Sequence, residues 1–388
     1  MDNPAVLPSR FYDVDTPCLF LDLDRVQANL DELRTAFAAL RPRVFYSVKA
    51  NGDPRLLSTL HGLGTGFDVA SIAEIRRLLG LGVPPSEITF SSTVKIPSHV
   101  AEAHRRGIKR FAFDSEAEVA KLADLAPGAQ AVLRLEVPHT GSRWPLAGKF
   151  GARPSEALAL LRAARASGLD PCGLTFHVGS QCLRADTWLD ALDVCARVWE
   201  AAAAAGIGLR LVNVGGGLPT RYTEEVPSVS AIAERVVPRV RDAFGPDVEF
   251  AIEPGRYLVG DAGTLATGVI GKAVRRGKPW VYVDLGIYSG LLEVVGGWTY
   301  PILTERDYLP KRRATLAGPS CDSTDILAQD IELPDLEIGD RLLLFSAGAY
   351  TTSYREYNGF PFPDVVVTTT ALPRLVAAGS AVPAEAVA

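Results

Sequence analysis

The sequence predicts a two-part α/β protein: a (β/α)8 TIM-like barrel followed by a mostly antiparallel C-terminal β domain. Three observations carry this. Eight short apolar runs alternate with helix-like segments over the first two-thirds of the chain. A chemically useful residue stands at or after nearly every run. Beyond about residue 258 the helical periodicity fades into β-rich runs separated by Gly and Pro.

The eight run cores are residues 44–48, 66–69, 88–90, 110–113, 131–135, 173–176, 209–214 and 248–252. Between them lie helix signals. Ser71-Ile72-Ala73-Glu74 is a capping pattern that opens a helix over 75–81. Residues 114–118 open another, which runs through Val119, Leu122 and Leu125, and 188–205 form a long alanine-rich amphipathic helix. A doubly wound open sheet competes with the barrel, and the polar residues discriminate. Lys49, Asp68, Ser91, Arg134, His177, Gly215-Gly216-Gly217, Glu253 and Arg256 end or follow successive runs. They converge on one mouth only if the sheet closes. Later runs at 280–283, 313–316, 341–344 and 365–368 build the β domain, and the early run 18–23, after Thr16-Pro17, is assigned to it. The expected division is 1–30, an N-terminal strand joining the β domain; 31–257, the barrel; 258–375, the β domain; and 376–388, a flexible alanine-rich tail.

Bulk properties narrow the class. The chain has 388 residues, 47% hydrophobic, with a net charge of −5. The mild acidity argues against nucleic acid and anionic membrane as partners. Five scattered cysteines (Cys18, Cys172, Cys182, Cys195, Cys321) show no C-x-x-C spacing, which fits a reducing compartment and gives no metal site. No signal peptide is read at the N-terminus, and no apolar run reaches the ~18 residues of a membrane span. A soluble cytoplasmic enzyme is expected.

Lys49 closes an apolar strand-like stretch, Val44-Phe45-Tyr46-Ser47-Val48-Lys49. A lysine in an apolar cleft loses basicity and becomes a nucleophile able to form a Schiff base. The triglycine 215–217 exposes backbone N–H groups suited to a phosphate; Gly255-Arg256 follows the eighth run, and Ser180 adds a hydroxyl. Phosphate sites of barrels cluster in those last two loops. An amine plus a phosphate cradle points to pyridoxal 5′-phosphate (PLP). Glu253 is placed to pair with the ring nitrogen, or alternatively to make an ion pair with Arg256 or Arg134. His177 could stack on the ring or be a satisfied core histidine.

Seven ordered motifs then resemble the fold-type III PLP-dependent decarboxylases, the group of ornithine, lysine, diaminopimelate and biosynthetic arginine decarboxylases. They are Tyr46-Ser47-Val48-Lys49-Ala50-Asn51, Phe67-Asp68-Val69-Ala70-Ser71, His177-Val178-Gly179-Ser180-Gln181, Gly215-Gly216-Gly217-Leu218-Pro219, Glu253-Pro254-Gly255-Arg256, Gly318-Pro319-Ser320-Cys321-Asp322 and Gly348-Ala349-Tyr350-Thr351. The short length, with Trp144-Pro145-Leu146, Lys149-Phe150-Gly151, Thr351-Thr352-Ser353-Tyr354 and Asn358-Gly359-Phe360, is most similar to compact bacterial ornithine/lysine decarboxylases.

The resemblance implies an alanine racemase-like fold and a homodimer with two shared sites. Lys49 would carry PLP as a Schiff base, with Asp68 and Arg134 ordering the site. His177 would stack on the ring, and Glu253 would pair with its nitrogen. Ser180, Gly215, Gly216, Gly217, Gly255, Arg256 and Tyr350 would hold the phosphate. Cys321, from the second subunit, would protonate the carbon that lost CO2, and Asp322 would approach the substrate's distal amine. Tyr288 and Glu293 would complete the substrate side. The implied activity is decarboxylation of an amino acid, as in polyamine biosynthesis. One segment departs from the pattern: 294–300 reads Val-Val-Gly-Gly-Trp-Thr-Tyr, without the further acidic residues of the bacterial enzymes. The substrate is therefore ornithine- or lysine-like, or has a neutral, aromatic or modified side chain with Trp298 in its pocket; Trp298 is equally readable as core packing. An amino-acid racemase would want a poorer proton donor at the ring nitrogen and a tyrosine base, so Glu253 and Cys321-Asp322 favour decarboxylation. A non-catalytic regulatory homologue would be expected to have lost Lys49, Cys321 or the glycine loop, and all are present. A barrel-only PLP carrier is disfavoured by the β domain.

Overall fold

Cys18-Leu-Phe-Leu-Asp22 forms β1 (Cys18–Asp22), buried along its whole length, and leads into α1 (Leu23–Ala36). The computed structural model describes residues 7–146, 148–353, 356–357, 360–361, 363–369 and 372. The expected tail at 376–388 lies outside the described residues. The chain divides into a unit of residues 27–219 and 226–257 and a unit of residues 1–26, 220–225 and 258–388. The segment 220–225 thus leaves the first unit between its last two strands, a detour with no signature in the sequence.

The first unit is a closed parallel barrel. Its strands are β2 (Arg43–Ser47), β3 (Gly66–Val69), β4 (Ile88–Phe90), β5 (Arg110–Phe113), β6 (Gln130–Arg134), β8 (Asp170–Thr175), β10 (Leu211–Asn213) and β11 (Glu249–Ile252), with β11 pairing back to β2 through Ala251↔Arg43 and Ile252↔Val44. All eight fall on the eight apolar runs. Most strand positions are buried, which is why the runs read as continuous rather than alternating. Two three-residue strands were not anticipated: β7 (Ser142–Trp144) and β9 (Ser180–Cys182), paired antiparallel with Trp144 opposite Ser180.

Helices return the chain between strands: α2 (Pro54–Gly62), α3 (Ile72–Gly80), α4 (Pro97–Arg105), α5 (Glu116–Leu125), α6 (Pro154–Ala166), α7 (Asp186–Ala204) and α8 (Val229–Phe244), followed by the short α9 (Arg256–Val259). Ser71 caps α3 as expected: its Oγ accepts the Glu74 N–H at 3.3 Å, and Glu74 Oε2 accepts the Ala70 N–H at 2.6 Å. Such a cap is worth ~1 kcal/mol. The N-terminal end of the barrel carries a cluster of charges. Glu249 takes Arg43 at 3.1 Å and Arg110 at 2.9 Å, and both guanidiniums lie near the Phe45 ring. The candidate residues stand at the opposite end, where the strands finish.

The second unit is a curled, mostly antiparallel sheet. Its strands β12 (Gly263–Arg275), β13 (Lys278–Val283), β14 (Ile302–Thr304), β15 (Lys311–Ala317), β16 (Ile326–Pro334) and β17 (Arg341–Phe345) run in the order β14-β17-β12-β13-β15-β16. β1 adds to β12 antiparallel. After a two-residue ladder, β18 (Glu356–Tyr357) with β19 (Phe360–Pro361), β20 (Asp364–Thr368) pairs with β1 in parallel. Its core gathers Leu265, Val283, Leu291, Trp298, Leu316 and Leu342, each almost fully buried. No helix among the described residues is long and apolar enough to cross a membrane.

Gly173 on β8 tests the barrel packing. A Cβ there would fall 2.5 Å from the Leu211 carbonyl oxygen and 2.6 Å from Leu211 Cβ on β10. Gly173→Ala is expected to cost about 1–3 kcal/mol of stability, read by denaturant titration.

Candidate active site

The barrel mouth gathers the residues that end the strands. Ser47 closes β2, and the chain turns at once into a 3-10 turn over Val48–Ala50. Lys49 therefore sits on that turn, not on the strand itself. Its surroundings also differ from the expected apolar cleft. Lys49 Nζ lies 2.8 Å from Asp68 Oδ2, and its side chain is 47% exposed while the Asp68 side chain is 3% exposed. Ser47 Oγ donates to the same Asp68 oxygen at 2.8 Å and lies 3.3 Å from the Glu253 carbonyl.

Glu253 follows β11 and is buried. Both of its recorded hydrogen bonds end on one oxygen: Ser91 Oγ donates to Oε1 at 2.7 Å, and Asn213 Nδ2 donates to Oε1 at 2.7 Å. Burial, reinforced by the Asp68 carboxylate, pushes the Glu253 carboxyl up to about 7, against the pull of Ser91, Lys49 and Asn213. The expected alternatives for Glu253, ion pairs with Arg134 or Arg256, are not what it makes. Arg134, at the end of β6, lies over the Phe150 ring at 5.4 Å.

His177 follows β8, and its Nδ1 accepts the Gly179 N–H at 3.0 Å, which places the ring proton on Nε2. Burial, and then the positive charges of Arg134 and Lys49, hold this imidazole well below the ordinary histidine range, so it presents a neutral ring face. Gly215-Gly216-Gly217 packs beside it. Gly215 and Gly217 take φ of 64° and 100°, in the region that favours glycine. A Cβ on Gly216 would lie 2.8 Å from the Glu253 carbonyl oxygen and 3.1 Å from His177 Nε2. Only a bare backbone lets these three strand ends meet. Arg256 Nη2 donates to Ser180 Oγ at 3.2 Å.

The predicted residues of the β unit are arranged within that unit. Cys321 is exposed. Asp322 Oδ1 accepts the Thr324 N–H at 2.9 Å and the Thr324 hydroxyl at 2.7 Å, and the Tyr288 hydroxyl lies 3.3 Å from Oδ2. Tyr350 adopts φ of 63°, a strained conformation of the kind found at functional sites. Trp298 is the correction on this side. Its ring is 1% exposed, edge-on to Tyr222 at 6.5 Å, and Tyr222 is edge-on to Tyr300 at 5.6 Å. It is core packing, and the exposed residues of its loop are Val295, Gly296, Gly297 and Thr299. Glu293 is partly buried at the start of the preceding 3-10 turn, Leu292–Gly296.

Two residues escaped the sequence reading. Asn213 bridges Glu253 and the glycine loop, because its Oδ1 accepts the Gly215 N–H at 2.9 Å. Its signal was a polar residue closing the apolar strand Leu-Val-Asn. Buried Asp325 supports the Cys321 turn: Oδ1 accepts the Ile287 N–H at 2.7 Å and Oδ2 the Ser320 N–H at 3.1 Å. Cβ atoms on Gly286 and Gly318 would fall 2.5 and 2.4 Å from that carboxylate, so the two glycines leave the space it occupies.

A barrel mouth with a lysine, a glycine cradle, a neutral imidazole and a buried carboxyl defines a PLP enzyme of the barrel-plus-β-domain class. The chain belongs to the pyridoxal-dependent decarboxylase family: the model of its pyridoxal binding domain matches residues 23–260. It is 37% identical over 358 residues to the lysine/ornithine decarboxylase of Selenomonas ruminantium, covering 91% of this chain and 90% of that one. It is 32% identical to the chloroplastic ornithine decarboxylase of Nicotiana glauca, covering 93% and 86%. The crystal structure of lysine/ornithine decarboxylase complexed with cadaverine from Vibrio vulnificus superposes with a TM-score of 0.87 at 27% identity, covering 94% of this chain and 100% of that one. The protein is thus a PLP-dependent amino-acid decarboxylase with the alanine racemase-like fold. The residues present fit PLP: the cradle that side chains would fill is bare, and amine, carboxyl and hydroxyl groups match its aldehyde, ring nitrogen and phosphate.

The Glu253 carboxyl gives a prediction for the cofactor-free protein. Its folded value, about 7, lies above the ordinary 4.5, so the carboxyl favours folding fully below pH 4.5 and that contribution is lost as pH rises through about 7. Glu253→Gln does not ionise. Its stability relative to wild type is expected to rise across this window, by up to about 3 kcal/mol, and to level off above it. Urea unfolding at stepped pH measures the difference.

Proposed function

We propose that the protein decarboxylates a diamino acid of the ornithine/lysine type to the corresponding diamine, as a homodimer in which Cys321 and Asp322 serve the partner's site. The observation that carries the substrate class is Asp322. Its carboxylate is fixed by Thr324 and Tyr288 on the turn that bears Cys321, a fitting acceptor for a distal ammonium. The relatives named for lysine and ornithine, and the cadaverine-bound Vibrio structure, support it.

When bound, PLP supplies an electron sink for the pair left behind as CO2 departs. Lys49 is the amine that anchors it, and Asp68 holds that amine at the mouth. The glycine loop, Gly255, Ser180, Arg256 and Tyr350 take the phosphate, with Arg134 ordering the mouth beside it. His177 lends a flat neutral face. Glu253 keeps a proton at the ring nitrogen, and Cys321 returns one to the substrate carbon. Tyr288 and Glu293 line the substrate side.

The loop 294–297 supports a second reading. It is Val-Val-Gly-Gly, with Val295 69% exposed and no carboxylate beyond Glu293. A substrate whose distal group is neutral or modified would pay no desolvation penalty against such a loop. A CO2-release screen over ornithine, lysine, arginine, diaminopimelate, glutamate and aromatic amino acids separates the two. Ornithine or lysine turning over far above the rest supports the first; a neutral side chain leading the series overturns it.

Two substitutions extend the test. Lys49→Ala is expected to abolish the visible absorbance of bound cofactor and to cut CO2 release by more than about a thousandfold. Asp322→Asn is expected to raise KM for a diamino acid by about ten- to a hundredfold while sparing cofactor absorbance.

A further inference from the structure

Glu253 has two carboxylate oxygens, and the barrel treats them differently. Oε1 accepts from both Ser91 and Asn213, each at 2.7 Å. Among the described residues no hydrogen bond is recorded to Oε2. The two donors come from opposite sides of the barrel, Ser91 just after β4 and Asn213 at the end of β10. Asn213 is not free to turn away, and the Ser91 hydroxyl, with Thr89 Oγ1 at 3.5 Å on its other side, stands on a braced loop.

The amide of Asn213 is held at both ends. Its oxygen accepts the Gly215 N–H at 2.9 Å, so its NH2 must face the carboxylate. The reverse orientation would set oxygen against oxygen and N–H against NH2. Ser91 is held through its loop. Lys95 is buried completely and aims its ammonium back under that loop, donating to the carbonyls of Ser92 at 3.0 Å, Thr93 at 2.9 Å and Ala112 at 2.5 Å. Glu118 Oε2 balances the charge at 3.2 Å, and Lys121 pairs with the same Glu118 and donates to the Lys95 carbonyl. A buried lysine spent on three backbone carbonyls is an expensive way to shape a loop unless that shape is needed.

We infer that Ser91 and Asn213 are positioning residues that commit Oε1 of Glu253 to the protein and leave Oε2 for the cofactor's ring nitrogen, with Lys95 fixing the loop that carries Ser91. The inference rests on the reading of Glu253 as the ring-nitrogen partner. Two donors on one oxygen stabilise the carboxylate over the carboxylic acid. They also fix the plane of the group. Asn213 adds a mechanical link, since the same side chain touches the loop proposed to hold the phosphate. The ring end and the phosphate end of the cofactor are registered against one amide.

The charges facing Glu253 are Asp68 on β3, Lys49 on the 3-10 turn and Arg134 at the end of β6, and the neutral His177 stands beside the loop. Losing a donor leaves the carboxylate against Asp68 with less compensation. The shared proton then moves from the ring nitrogen towards Glu253.

The test uses enzyme reconstituted with PLP carrying 15N in the ring. In wild type the 15N resonance is expected at the pyridinium position. Ser91→Ala moves it towards neutral pyridine and lowers kcat by about tenfold, with KM nearly unchanged. Ser91→Thr, which keeps the hydroxyl, restores both. Asn213→Ala moves the resonance the same way and also weakens PLP retention on dilution. Glu253→Gln is the reference. If it shifts the resonance while Ser91→Ala and Asn213→Ala leave it at the wild-type position, the positioning role is overturned and Glu253 stands. If Glu253→Gln also leaves it in place, the ring-nitrogen reading falls, and this inference with it.

Discussion

Asp68 and Glu253 place two carboxyl groups in one barrel mouth, each nearly out of reach of water. Left alone they would repel, and one would hold a proton at neutral pH. The residues around them separate the two. Asp68 takes the Lys49 ammonium and the Ser47 hydroxyl. Glu253 takes only neutral donors, Ser91 and Asn213. One carboxylate is thus matched to a cation of the protein and the other to neutral donors alone, which is what the proposed role at the cofactor's ring nitrogen draws on. Ser47 touches both halves, through the Asp68 carboxylate and the Glu253 carbonyl, so the spacing of the pair is set where β2, β3 and β11 lie side by side.

The barrel was legible because its strands are buried on both faces and their ends carry polar residues, two signals that agree. The β unit was less so. Its longest strand, Gly263–Arg275, contains Gly263, Gly268 and Gly271 and exposes its second half, so it lacks the continuous apolar run of a buried strand. The first bare position has a cause: a Cβ on Gly263 would strike the backbone of Gly348 at 2.2 Å. The ladder of β7 with β9 was invisible because three residues carry no periodicity. Lys49 was found, yet its carboxylate partner depends on the pairing Ser47↔Asp68 across β2 and β3, a register that sequence spacing does not reveal.

The substrate side shows a different limit. Trp298 drew attention as a large aromatic in a loop without acids, but a tryptophan beside glycines reads the same whether it lines a pocket or plugs a core. The contact that decides is with Tyr222, 76 positions away in sequence, and no local pattern announces it. Asp325 is the converse case. It lies near Cys321 in sequence, yet its work is done against Gly286 and Gly318, whose missing side chains make room for it. The turn that carries Cys321 and Asp322 is therefore shaped by absences as much as by contacts.

Lys95 has a consequence for how the enzyme tolerates its solvent. Pairs on the barrel's outer surface, such as Arg210 with Asp170 and Arg76 with Glu102, are reached by dissolved ions and weaken as salt rises. The ammonium of Lys95 is sealed from solvent and neutralised from within, much as a bound metal ion would be. Concentrated electrolyte should therefore loosen the barrel's outer surface before it disturbs the loop over which Ser91 meets Glu253. The brace under the Ser91 loop is shielded from the ionic strength around it, whereas Lys49, with its side chain 47% exposed, is not.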